Sequence, residues 1–454
     1  MGGRAGCTGL NGRGQACDQD RHPTGKRTWH RHRFEVKIPL FLPKRYLCRM
    51  MRMHRNLVFA VWDGLDQIFN ENAYADKVVE KLLRRDKRWG SRDRGFIAET
   101  VYDMVRYRRL YAEIAGVSAP YSRQDLGRMF AVWAILRGHT LPDWKEFAGT
   151  PERRIKGRFD ALQESRAVRE SVPDWLDALG AESLGEAVWD RELRALNQQA
   201  EVVLRVNRLK ASPEQVRESL SEAGFETAPI SGYPDALRLL ERANVFGSEA
   251  FRSGWFEIQD ASSQRVAPLL APEPGMRVID TCAGAGGKSL HLAALMENKG
   301  QILALDIYAN KLRELKKRAK RAGAFNIETR PIESSKTLKR LAGSADRVLI
   351  DAPCSGLGVL RRNPDAKWKL RPEFVEELTR TQAELLNSYS QLLKPGGKLV
   401  YATCSILPGE NEQQVARFLD SGAGQAFRLE EEHRILACES GFDGFYLALL
   451  NHTG

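Results

Sequence analysis

Residues 397–410 read GKLVYATCSILPGE, and residues 347–370 read RVLIDAPCSGLGVLRRNPDAKWKL. In each, an apolar run that reads as a buried strand gives way to a loop carrying a cysteine. Cys404 follows Leu399-Val400-Tyr401-Ala402 and Thr403; Cys354 follows the acidic strand end Asp351 and Pro353. One such thiol is more often a small apolar packing residue. It could also be a nucleophile held on a rigid strand end. Two cysteines ending two strands of one parallel sheet would both lie at its carboxyl edge, where ligands bind in such sheets. Facing one pocket, they are hard to explain as core filling.

The same edge would carry a second set of groups. VIDTCAGAGGKSLHL, 278–292, reads as a strand ending at Asp280, a loop Cys282-Ala283-Gly284-Ala285-Gly286-Gly287-Lys288, and a helix opening near Ser289. A loop of this kind brings backbone N–H groups and a helix N-terminus up to a ligand. It fits neither phosphate-binding pattern: G-x-x-x-x-G-K-S needs glycine where Cys282 stands, and G-x-G-x-x-G ends on Ser289. Asp306 closes the next strand, 19 residues after Gly287, where a carboxylate can accept both hydroxyls of a ribose. NAD and S-adenosylmethionine both carry that ribose. The strand end Asp351-Ala352-Pro353 resembles the place where adenine and a flat acceptor base meet in nucleic-acid amino-methyltransferases, which have an aromatic residue where this chain has Cys354. Beyond it, Arg361, Arg362 and Lys367 surround Trp368, a set suited to phosphates and a stacked base.

The elements that must position these groups fall into blocks. At 454 residues, with 43% hydrophobic and 28% charged residues, the chain reads as two or three soluble domains. Seven scattered cysteines without a C-x-x-C pair suggest neither a disulfide framework nor a zinc site, and a reducing cytoplasm suits them. No stretch approaches the ~20 apolar residues that span a membrane. Of the net charge of +12, +9 lies in residues 1–52 and only +3 in the remainder, so a nucleic-acid site must be a local patch. Residues 1–52 read as a basic, disordered extension upstream of a start at Met50, Met51 or Met53, with an organellar transit peptide as the other reading. From 53 to 195 apolar residues recur at three and four, as in Val58, Val61, Trp62 and Leu65, predicting an all-α domain. Its basic cluster, Arg84, Arg85, Lys87, Arg88, Arg92, Arg94, Arg106, Arg108 and Arg109, reads equally as a solvated face or an RNA-facing one. Residues 196–265 read as a small α+β module. Residues 266–454 alternate strand and helix, with strands predicted at 276–280, 302–306, 347–351, 397–402 and 445–450 in a parallel, Rossmann-like α/β sheet.

DTCAGAGGKS, DAPCSGLG with RNPDAKW, YATCS and the closing DGFYLALL together resemble the Sun/Fmu family of RNA cytosine-C5 methyltransferases. FEIQDASSQ, 256–264, is similar to the segment before that family's cofactor loop. YADKVVEKLL and WGSRDRGFIAETVY resemble the NusB-like RNA-binding domain of its 16S ribosomal RNA members. The family's loop usually reads C-A-A-P-G-G-K, and it tends to place an Asp where this chain has Glu333. The resemblance implies a class I S-adenosylmethionine methyltransferase, with residues 282–288, Asp306, Glu333 and Asp351 around the cofactor. A Pro-Cys nucleophile, as in DNA cytosine-C5 enzymes, would point to Cys354. The family resemblance points instead to Cys404 as nucleophile and Cys354 as the helper that releases product, with Asp351 on the base and Lys288 orienting cofactor or substrate. The implied partner is RNA, with ribosomal RNA favoured and transfer RNA the alternative, with no metal or membrane and the chain acting as a monomer. An NAD oxidoreductase would leave both cysteines unexplained; a non-catalytic ribosome assembly factor would leave them unused.

Overall fold

The computed structural model describes residues 53–454, so the expectations for residues 1–52 lie outside the described residues. Five helices, Arg55–Phe69, Ala75–Leu83, Ser91–Arg106, Arg108–Ala115 and Arg123–Leu136, bury one common core. It contains Val58, Val61, Trp62 and Leu65, whose spacing marked one helix face, together with Ile97, Val101, Met104, Met129, Phe130 and Trp133. The last of these helices starts at a capping box in which Ser122 accepts from the Asp125 amide and Asp125 answers the Ser122 amide. The helices Asp174–Leu184 and Glu186–Leu196 leave this core. Their Leu176, Trp189 and Leu193 pack with Leu357, Leu360, Ile406 and Leu436 beside the thiol-bearing loops. Periodicity reports that a helix has an apolar face, not which neighbour covers it.

A small antiparallel sheet follows, formed by β1 (Val203–Val206), β2 (Thr227–Ile230), β3 (Tyr233–Leu239) and β4 (Phe256–Ile258) in the order β2-β3-β1-β4. The helix Pro213–Glu222 packs on it, opened by Ser212 with a proline in its first turn.

The large sheet contains β5 (Arg277–Asp280), β6 (Gln301–Asp306), β7 (Ile327–Pro331), β8 (Ala345–Asp351), β9 (Leu393–Thr403), β10 (Phe427–Ile435) and β11 (Phe445–His452). Their order is β10-β11-β9-β8-β5-β6-β7. All five expected strands are present. Two were missed, β7 and β10, because both are edge strands whose charges face water, as in Glu431 and Glu432. The expected parallel sheet runs through β9, β8, β5, β6 and β7, while the predicted strand at 445–450, β11, runs antiparallel to both β9 and β10. Successive residues alternate between two cores. Val278, Ile302, Leu349 and Val400 face the helices Gly287–Leu295 and Ala309–Ala322. Ile279, Leu303, Val348, Ile350 and Tyr401 face the side of Pro372–Tyr389 and Glu412–Leu419. Burial on both faces makes the central strands continuous apolar runs. The chain leaves β5 toward β6 and β7, then returns as β8 on the other side of β5. The crevice at this reversal, outside the strand ends, is where such sheets bind ligands.

Candidate active site

Asp280, Asp306, Asp351 and Cys404 reach this crevice from the ends of β5, β6, β8 and β9. The loop 282–288 is held from beneath and from both sides. Gly284 N donates to Asp306 Oδ2 at 2.8 Å, and Tyr308 N donates to Asp306 Oδ1 at 2.7 Å. Ala283 N donates to the Leu305 carbonyl at 2.9 Å. Arg318 Nη1 donates to the Ala285 carbonyl at 2.7 Å, while its Nη2 donates to buried Glu257 of β4 at 3.0 Å. Arg205 of β1 donates to the Gly287 carbonyl. The small sheet is therefore a brace for the glycine loop. Gly286 has φ +87°, and a Cβ there would lie 2.4 Å from Leu315, so only glycine fits at that turn. Cys282 packs against the core, and burial pushes its thiol up, the environment of an inert cysteine.

Asp280 lies under the loop. Ser289 Oγ donates to its Oδ2 at 2.6 Å, and its buried Oδ1 has no partner. Burial pushes its carboxyl up to about 7. The native state thus binds a proton that the unfolded chain, at an ordinary carboxyl value of 3.8, releases. This contribution to stability is complete below pH ~4 and declines as pH rises to about 7, by at most about 1.4 kcal/mol per pH unit. Asp280→Asn is expected to flatten that slope in urea unfolding curves measured from pH 4 to 8.

Lys288 Nζ donates to Asp351 Oδ2 at 2.6 Å. Burial alone would push this ammonium down, but the charge and hydrogen bond of Asp351 outweigh it and hold the lysine above its ordinary value. Beside this pair the two thiols meet, with Cys354 Sγ 3.4 Å from Cys404 Sγ. The hydrogen bond to Cys404, then burial, then the charges of Cys404 and Glu410 raise Cys354 well above an ordinary thiol. Either sulfur can donate in this contact. Gly358 N donates to the Cys404 carbonyl at 2.9 Å. A Cβ at Gly358 would meet the Gly444 carbonyl at 2.2 Å, so this close approach requires glycine.

The family described as "16S rRNA methyltransferase RsmB/F" matches residues 267–451, and its ferredoxin-like domain matches residues 172–246. A probable ribosomal RNA small subunit methyltransferase B from Synechocystis is 32% identical over 398 residues, covering 80% of this chain and 88% of that protein. The chain belongs to the RsmB/F methyltransferase family. The ribosomal RNA small subunit methyltransferase B of Proteus mirabilis is 37% identical over 303 residues, covering 66% of this chain and 71% of that one. Among solved structures, the crystal structure of PH0851 superposes with a TM-score of 0.75 at 26% identity, covering 88% of this chain and all of the other (100%).

RsmB/F methyltransferases use S-adenosylmethionine, and the residues at this crevice fit it. A Cβ added at Gly284 or Gly287 would meet nothing within 4 Å, so the loop leaves open space along its backbone. Each oxygen of Asp306 keeps lone pairs beyond the one amide that it already receives. Glu333 is exposed just past β7, next to Ile332, whose amide donates to the Asp306 carbonyl at 3.0 Å.

The four residues expected to touch RNA are placed elsewhere. Arg361 is buried and donates to the Gly441 carbonyl. Arg362 pairs with Asp443 at 2.6 Å and Asp260 at 2.8 Å. Lys367 is 1% exposed and faces Asn197 Oδ1 at 3.3 Å. Trp368 Nε1 donates to the Val105 carbonyl at 2.8 Å. The segment 361–369 docks the helical unit onto the large sheet instead of presenting cations to solvent. In the basic cluster of the helical unit, Arg84 pairs with Glu80, Arg85 with Asp63, Arg88 with Asp86 and Arg109 with Asp174, and the first three of these arginines remain largely exposed. Arg108 lies over the rings of Phe69, Tyr121 and Trp368. A charge pattern read along the chain cannot show that Arg362 meets Asp260 and Asp443, or Arg109 Asp174, across the fold. Sequence reasoning also missed Ser355, Ser405 and Glu410. The signal was present: both cysteines are followed by serine, and Glu410 ends the PGE turn after the second.

Proposed function

We propose that this protein methylates C5 of a cytosine in small-subunit ribosomal RNA, through a covalent bond between Cys404 and cytosine C6. The observation that carries this reading is the pair of thiols 3.4 Å apart, beside the Lys288–Asp351 pair and above the glycine loop. S-adenosylmethionine, when bound, supplies an electrophilic methyl group. Residues 282–288, with Asp306 at the ribose and Glu333 and Asp351 nearby, would hold it.

Cytosine C5 is a weak nucleophile until a thiolate adds at C6. Cys404, as thiolate, forms the S–C6 bond, and the C5=C6 electron pair becomes available at C5. Asp351 holds N3 or the exocyclic amine, and Lys288 keeps Asp351 in place. After methylation the C5 proton passes to a base, C5=C6 re-forms, and the C6–S bond breaks to return the Cys404 thiolate. Cys354 is placed to be that base at the right moment. While Cys404 is a thiolate, Cys354 hydrogen-bonds to it and stays protonated. Once Cys404 is a neutral thioether, its hydrogen bond and its charge cease to act, and of the groups that raise Cys354 burial and Glu410 remain; as thiolate, Cys354 would accept the C5 proton. The helical unit would hold the RNA, with exposed Lys87 and Arg92 free of carboxylate partners among the described residues.

The test is methyl transfer from S-adenosylmethionine to isolated small-subunit RNA, with the product located by bisulfite sequencing. Stabilisation by S-adenosylhomocysteine but not by NAD is expected alongside. Methylation of transfer RNA alone would replace the substrate, and a methyl group on an exocyclic amine or ribose would overturn the chemistry.

A further inference from the structure

Both cysteines are followed by a serine, and both serines point at one carboxylate. Glu410 is wholly buried. Its Oε1 accepts from Ser355 N at 2.8 Å and from Gln382 Nε2 at 3.0 Å. Its Oε2 accepts from the hydroxyls of Ser355 and Ser405, which lie 3.1 Å from one another. Gln382 also donates to the Pro353 carbonyl at 2.9 Å, on the other side of Cys354. The backbone carbonyl of Glu410 accepts from Tyr401 Oη at 2.8 Å, inside the strand that carries Cys404. No Lys, Arg or His forms an ion pair with this carboxylate among the described residues. Four donors converging on two oxygens is the pattern that an anion accepts. A buried anion held only by neutral donors is costly for the fold, and it sits where two loops from different strands must agree in position.

Resting on the reading above, we propose that Glu410 is a positioning residue for methyl transfer. It clamps Ser355 to Ser405, thereby sets the spacing of Cys354 and Cys404, and places a carboxylate beside the thiol pair. The charged and titratable groups around Cys354 are Cys404 at the end of β9, Glu410, the Lys288–Asp351 pair and Tyr401. Of these, Glu410 touches both cysteine-bearing loops through their serines. A displacement of a reacting group by about 1 Å can cost roughly 10²-fold in rate, so the clamp has leverage without touching substrate.

Glu410→Gln keeps the shape and removes the charge. The expected result is a kcat reduced by about 10²-fold, with KM for RNA and the dissociation constant of S-adenosylhomocysteine changed by less than about threefold. In a Cys404→Ala background, the pH at which iodoacetamide alkylates Cys354 should move down when Glu410→Gln is added, a readout that a merely structural role would leave unmoved. Glu410→Asp, one methylene short of the serines, should recover the pH profile more than the rate. If Glu410→Gln melts far below the parent, the double variant Ser355→Ala/Ser405→Ala, which removes two donors and keeps the charge, should lose kcat without shifting the alkylation profile. Normal kcat together with an unshifted profile in a folded Glu410→Gln protein overturns the proposal. An unmodified parent protein that neither methylates RNA nor traps it would instead overturn the reaction on which the proposal rests.

Discussion

Cys404→Ala is expected to lose methyl transfer by at least about 10⁴-fold, the scale on which removal of a covalent nucleophile acts, and to form no adduct with 5-fluorocytosine RNA. Fluorine at C5 cannot depart as the proton does, so the parent protein should remain bonded to the analogue and migrate as a protein–RNA species in denaturing gels. Cys354→Ala is expected to behave in the opposite way with ordinary RNA. Addition at C6 still occurs, but the group placed 3.4 Å from the Cys404 sulfur is gone, and a stable adduct accumulates. S-adenosylhomocysteine should bind both variants nearly as well as the parent, because the loop 282–288 is held by Asp306, Arg318 and Arg205 and not by either thiol. An adduct that forms without Cys404 and disappears without Cys354 would reverse the two roles. The family pattern favoured Cys404 as attacker.

Arg362→Ala is expected to cost up to about 3 kcal/mol, below the full penalty for breaking a buried ion pair because the guanidinium is 29% exposed while its carboxylates are buried. Unfolding in urea, with the midpoint shift multiplied by the measured slope, would read it. The guanidinium joins Asp260, just after β4, to Asp443, just before β11. Without it, two carboxylates that are 6% and 2% exposed lose the one cation that, among the described residues, is paired with both, and the more distant charge of Arg361 still acts on them. Burial, and next the charge of Asp260, already push the Asp443 carboxyl up to about 6 with Arg362 present. Adding Asp443→Asn to Arg362→Ala should therefore recover part of the loss, the non-additivity of a contacting pair. A phosphate-binding arginine would behave differently, with stability retained and RNA affinity reduced most at low salt. That outcome would restore the surface role that the sequence pattern suggested.

These two sites separate what was legible in the sequence from what was not. Asp260, Arg362 and Asp443 lie in three motifs, FEIQDASSQ, RRNPDAKW and DGFYLALL, whose order along the chain carried the family resemblance. Nothing in their spacing says that they meet in one ion cluster. Arg361, Arg362, Lys367 and Trp368 look like an RNA patch when read in a line because a linear pattern records charge and omits what opposes it. The same limit applies to the helices Asp174–Leu184 and Glu186–Leu196, which have the expected periodicity but serve the catalytic side of the molecule.

By itself the sequence determined the central strands, the glycine loop with Asp306, and the position of Cys354 and Cys404 at strand ends. Each of these is a local property: an apolar run, a glycine where the backbone must turn sharply, a polar residue where a strand leaves the core. Only the tertiary structure decided that the two thiols touch, that Glu410 joins their serines, and that β11 turns back antiparallel beside β9. Hydrogen bonds, ion pairs and proton affinities depend on which groups approach within a few ångströms. Residues 50 or more positions apart acquire such neighbours only when the sheet brings their strands together.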